Sequence, residues 1–167
     1  MDFPVNKKII ALLCVMLAVL ALMAGCRGTE IKDPARNPAQ TVAAIKNSFF
    51  EANADNLPAL MELDDEMLRD FYGMDPAWLT AYSCNVPMMN VHATEIFVAH
   101  VKDGQMENVK AAIEARKASL DATWAMYLPA QYELVKNSIT LEQDGYILFA
   151  VTELTDSIQT IFGNSVK

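Results

Sequence analysis

Glycine, histidine and cysteine are scarce in this 167-residue chain, at six, two and three residues. The glycines never gather into a phosphate-cradling loop, and no GxSxG, HExxH or SxxK pattern occurs. Two histidines and few thiols leave little material for a nucleophile and its base. A carboxylate-dependent hydrolase stays open, because 21 Asp and Glu are present and their separation in space would decide it. Basic residues are also in short supply, 13 in all, for a formal net charge of −8. That balance argues against non-specific binding to nucleic acid or anionic lipid, which needs clustered Lys and Arg. Long apolar runs are missing too. The longest, residues 9–24, has 16 residues, where a spanning helix needs about 20. No internal repeat or low-complexity segment is visible.

What that short run does have is an informative setting. Lys7 and Lys8 precede it, and Ala24-Gly25-Cys26 ends it. Positive start, short apolar core and small residues at the end describe a signal peptide. The end resembles a lipobox, the bacterial lipoprotein processing signal, although Met23 stands where leucine is usual and Leu22 lies one place early. The resemblance implies cleavage between Gly25 and Cys26 and lipidation of the Cys26 thiol. Two acyl chains suffice for stable anchoring, at about 0.8 kcal/mol per buried methylene. The expectation is a signal peptide over 1–25, a lipidated cysteine and flexible tether over 26–36, and one domain over 37–167. The domain would sit at the extracytoplasmic face of the cell membrane, with 11 basic and 20 acidic side chains left after cleavage. Cys84 would then be the one free thiol, read as a small buried residue.

Asn37 and Pro38 supply a cap and a first-turn proline, and Val42, Ile45 and Phe49 follow at helical spacing. Asp64, Asp65 and Glu66 open a second helix that Gly73 stops, and Asp75-Pro76 repeats the cap-then-proline device in a short turn. Residues 82–89 are apolar but contain Pro87, so a strand there is expected at an edge or bent. Residues 93–101, ATEIFVAHV, are the strongest strand candidate. A long helix is expected over about 105–126, with the stripe Met106, Val109, Ile113, Leu120, Trp124 and Tyr127, closed by Pro129. SITLEQ, Asp144-Gly145 and YILFAVTE form a hairpin. A last helical turn or two carries Leu154, Ile158 and Ile161, with Gly163 after it. The sum is an α+β domain. A small antiparallel sheet is packed on one face by a long helix, with N-terminal helices and a short C-terminal helix.

Several stretches carry a family likeness as an ordered set: ELDDEMLRDFYGMDP, PMMNVHATEIFVAHVKDG, the Arg116 region, YLPAQYELVKN and DGYILFAV. With the lipobox, they resemble secreted lipoproteins of the domain-of-unknown-function 4358 family, typical of Gram-positive anaerobes. The resemblance covers most of residues 57–152. It implies an exported lipoprotein with an α+β domain, and no activity, cofactor or catalytic residue comes with it.

Glu95 and Arg116 are the most suggestive pair. Glu95 shares a strand face with Phe97, Ala99 and Val101. Arg116 falls within the apolar stripe of the long helix. Both charges stand where apolar groups belong, so a buried ion pair is expected if the helix covers that face. The bland alternative has Arg116 reaching outward and Glu95 at a strand end.

Glu62, Asp64, Asp65, Glu66 and Asp70 could suggest calcium, but they lack the DxDxDG loop and suit a helix start. Cys84, Met88, Met89, His92 and His100 could suggest copper(I). Strand geometry opposes that, since His92 and His100 would lie about 26 Å apart and Met88 and Met89 would point to opposite faces. Only a sharp bend at Pro87 could gather Cys84, Met88 and His92. Tyr127, Tyr132 and Tyr146 could form an aromatic surface, and core packing explains them equally well. No metal site, cofactor or catalytic residue is therefore expected.

The leading expectation is a non-catalytic, lipid-anchored module that binds an envelope protein or small ligand, and not nucleic acid. A carboxylate-dependent envelope enzyme is the opposing class, and an accessory solute-binding lipoprotein of a transporter a third.

Overall fold

The computed structural model describes residues 37–167. The Gly25–Cys26 junction, the leader and the tether lie outside the described residues. Helix α1 (Pro38–Ala52) starts as its caps dictate: the Asn37 side chain accepts from the Ala39 N–H at 3.1 Å, and Pro38 holds the first position. Strand β1 (Leu60–Glu62) follows. Helix α2 (Asp65–Tyr72) begins where Asp64 accepts from the Met67 N–H at 2.9 Å. It ends at Gly73, whose φ of 61° suits glycine and whose N–H donates to the Arg69 carbonyl. A 3-10 turn (Pro76–Trp78) capped by Asp75 leads into β2 (Leu79–Pro87).

Strand β3 (Glu95–Val101), helix α3 (Met106–Trp124), helix α4 (Pro129–Lys136), strands β4 (Ile139–Gln143) and β5 (Tyr146–Val151), and helix α5 (Thr155–Ser165) complete the described chain. The sheet is antiparallel throughout, in the order β1-β2-β3-β5-β4. Asp144 and Gly145, at φ 51° and 81°, make the tight β4–β5 turn.

The class is α+β, but helices cover both faces of the sheet rather than one. Phe97, Ala99, Val101, Ile147, Phe149 and Val151 point to the side of α2, α3 and α4. Ile96, Val98, Leu148 and Ala150 point to the other, against Val42, Ile45 and Phe49 of α1 and Ile158 and Phe162 of α5. Every residue of β5 is buried, as the unbroken run YILFAV requires when neither face meets water.

Four local expectations need correction. Strand β2 is internal, between β1 and β3, and its register shift lies between Leu79 and Ala81. Pro87 is tolerated because it is the last residue of β2. Pro129 does not merely close α3; it starts α4, as a first-turn proline does. Tyr127 falls beyond α3 and is 53% exposed, so it leaves the stripe. Helix α5 runs through Gly163, because Phe162 and Val166 bury on the same core and hold the last turn.

His100 on β3 makes a local test of the second face. Its ring meets Tyr146 edge-on at 4.6 Å, and Nδ1 is buried with no hydrogen-bond partner among the described residues. Burial pushes the imidazole pKa below its ordinary value, and Asp103 opposes this. The unfolded chain therefore takes up the proton first. The His100 contribution is intact above about pH 6.5 and is lost as pH falls from there through the lower folded value. Urea midpoints at pH 7.5 and 5.0 will differ less in His100→Gln than in the parent, with His92→Gln as control. Equal differences in parent and His100→Gln would refute this.

Candidate functional site

The position of Glu95 follows from the alternation of β3. It is the first residue of the strand, on the same face as Phe97, and it is 2% exposed. Arg116 lies midway along α3, between buried Ile113 and Leu120. Helix α3 crosses that sheet face, so the two side chains meet. Arg116 Nε donates to Glu95 Oε2 at 3.0 Å, and Nη2 donates to Oε1. The pairing is bidentate, the geometry that suits a guanidinium best. Tyr72 Oη, from the end of α2, donates to Oε2 at 2.9 Å. One buried carboxylate thus receives three hydrogen bonds, which is what makes a charge tolerable there.

Aromatic rings complete the surroundings. The Arg116 guanidinium carbon lies 5.3 Å from the Phe71 ring centroid and 5.5 Å from that of Tyr72. Tyr72 stacks on Phe97 at 5.6 Å and meets Phe149 edge-on. Burial first, and with it the Glu95 charge, push the Tyr72 pKa well up, so its proton stays available to Glu95. Burial and the Glu95 charge also push up the Cys84 thiol. Cys84 is fully buried and is no activated nucleophile. Tyr72 and Phe71 were absent from the sequence-based candidates. Their signal was position alone: two aromatics at the end of a short helix whose start and stop were both marked.

The cluster opens onto a groove of about 350 Å³ between the β2–β3 loop and α3. Glu95 and Arg116 lie at its base. Phe71, Met88 and Met89 line it while exposing 43%, 65% and 56% of their surface, and His92, Leu120 and Trp124 complete much of the wall. Met88 and Met89 therefore do not point to opposite faces of a strand. Strand β2 has ended by Pro87, and both residues line one cavity together with His92. Arg116 Nη1 makes no hydrogen bond to any described residue, and Arg116 lines a groove walled by apolar side chains together with Asn90, His92 and Thr123.

The other candidates separate. Glu62 pairs with Lys46 at 3.0 Å and accepts from Ser83 at 2.8 Å. Asp64 caps α2, and Asp65 accepts from Tyr82 at 2.7 Å. Glu66 and Asp70 are exposed on α2. Cys84 lies in the core beside Tyr72, and His100 belongs to the opposite face of the sheet. Tyr127 is exposed beside Trp124, Tyr132 packs on the first core, and Tyr146 is buried in the second. The three tyrosines form no common surface. No helix among the described residues is long and apolar enough to cross a membrane.

These features define a class: an α+β domain with a helix-covered antiparallel sheet and a buried Glu–Arg–Tyr cluster opening on one groove. The chain belongs to the domain-of-unknown-function 4358 family, whose model matches residues 52–152. The match takes in the whole sheet and the helices of the first face. It stops before α5 and includes only the last residue of α1, so the helices that cover the second face come almost wholly from flanking sequence. No curated protein and no solved structure matches the chain.

Proposed function

We propose that this protein is a non-catalytic, lipid-anchored binding module at the extracytoplasmic face of the cell membrane. Its groove between α3 and the β2–β3 loop would receive a partner with an apolar body and a hydrogen-bond acceptor. One observation carries this reading: exposed Phe71, Met88 and Met89 line, together with Arg116, one cavity of about 350 Å³. Binding sites combine mostly apolar walls with a few placed polar groups, and exposed apolar side chains that cluster mark contact surfaces. The opposing, enzymatic reading needs two free carboxylates facing one space. This groove has one carboxylate among its described residues, Glu95, and it is occupied by Arg116 and Tyr72. Two other cavities have a pair each, of which Glu62 and Asp65 are engaged by Lys46 and Tyr82, and Asp55 and Glu153 are exposed to solvent. The leader and Cys26 support the anchored location through their sequence pattern alone.

The test is capture of the native protein from membranes, followed by mass spectrometry. The expected result is a reproducible envelope partner that Met89→Glu abolishes and Glu66→Gln, on exposed α2, leaves bound. Labelled palmitate should enter the parent and not Cys26→Ala. A partner retained in full by Met89→Glu would remove the groove from the explanation.

A further inference from the structure

We propose that the loop end of this groove binds a soft monovalent cation, copper(I) or silver(I), through the thioethers of Met88 and Met89 and the imidazole of His92. The inference deepens the groove's role as a binding site and rests on that reading; it does not depend on the lipid anchor.

The backbone is what brings the ligands together. Consecutive residues of a strand face opposite ways, but β2 ends at Pro87 and the chain turns at once. The His92 N–H donates to the Met89 carbonyl at 3.3 Å, closing a tight turn. Three residues with potential ligand side chains, within a stretch of five, then line one cavity. Two thioethers and one imidazole are neutral and soft, a set suited to a d¹⁰ monovalent ion rather than to magnesium or calcium, which want oxygen. Among the described residues of the groove the one carboxylate, Glu95, is already bonded by Arg116 and Tyr72, and the other side-chain oxygens, of Asn90 and Thr123, are neutral and bind a soft ion poorly.

Electrostatics permits a cation there. Arg116 is matched by Glu95 within the groove, and the chain as a whole is acidic, with a net charge of −8. Trp124 lines the same cavity, and an indole face attracts a cation. The exposure of Met88 and Met89 makes the ion accessible for exchange, which fits passing it on better than storing it.

The probe is silver nitrate, redox-inert, added in chloride-free buffer to the full chain in detergent with its methionine methyl groups carbon-13 labelled. The expected result is a shift of the Met88 and Met89 methyl resonances, complete at one equivalent beyond any thiol uptake, with partial quenching of the tryptophan emission, to which Trp78 and Trp124 both contribute. Met88→Leu, Met89→Leu and His92→Gln should each weaken uptake by more than the ~10–100-fold typical of losing an outer-shell partner. Leucine conserves volume and the sites are exposed, so folding is retained and is checked by circular dichroism. Thiols are identical in all variants, so the difference between them reports the loop. Unmoved Met88 and Met89 resonances, or equal uptake by the Met88→Leu/Met89→Leu variant, would overturn the inference. If silver fails while Met89→Glu still abolishes the membrane partner, only the cation site falls. If silver binds and no partner depends on Met89, only the partner reading falls.

Discussion

Arg116→Met will lower the thermal unfolding midpoint by at least about 6 °C. Removing one partner of a buried ion pair costs ~3–5 kcal/mol, because the remaining charge is stranded, and each kcal/mol moves the midpoint by roughly 2–8 °C in domains of this size range. Glu95 is 2% exposed and Arg116 14%, so solvent screening offers little relief. Methionine keeps most of the length of the side chain, and the lost term is therefore the guanidinium. Adding Glu95→Leu and Tyr72→Phe removes the stranded carboxylate and the hydroxyl that served it. That triple variant should melt above Arg116→Met, since apolar replacement of a buried pair is often neutral or stabilising. A parent-like midpoint for Arg116→Met would mean that the pair contributes nothing to the folded state.

Phe97→Ala should be comparably severe, at ~3–5 kcal/mol, from lost burial and the cavity left behind. Phe97 is fully buried at the centre of β3 and opposes Phe149 across the ladder. Its ring also stacks on Tyr72, which holds Glu95. The loss should therefore couple to the hydroxyl. Tyr72→Phe alone removes a hydrogen bond to a charged group, ~1.5–3 kcal/mol. Combined with Phe97→Ala it should cost less than the two losses added, because a displaced ring has less of that bond to lose. Urea unfolding of the four proteins measures the coupling. Simple additivity would show that the ring stack does not position Tyr72.

Caps and turns were the most legible features of the sequence. Asn37-Pro38, Asp64, Gly73, Asp75-Pro76 and Asp144-Gly145 act locally, through their own side chains or φ angles. The apolar company of Glu95 and Arg116 likewise signalled two charges drawn into the core, although their meeting depends on where α3 crosses the sheet. Strand β1 was invisible because three residues cannot display a period. Helix α4 was lost because a proline that stops one helix can equally start the next. The second helical layer left one usable sign, the six-residue run YILFAV, which alternation cannot explain. The groove was beyond reach. Whether Met88 and Met89 diverge or share a cavity turns on one fact, the end of β2 at Pro87, and the apolar stretch continues past it.

The two outermost strands have a consequence for chains crowded side by side. One border of the sheet, β1, is only three residues long. The other, β4, projects Glu142, whose carboxylate meets Lys110 of α3 at 2.5 Å. A neighbouring copy seeking to add its own strand would find too few free amides at the first border and a charged obstruction at the second. High local density should therefore leave these domains as separate bodies instead of joining them into ribbons.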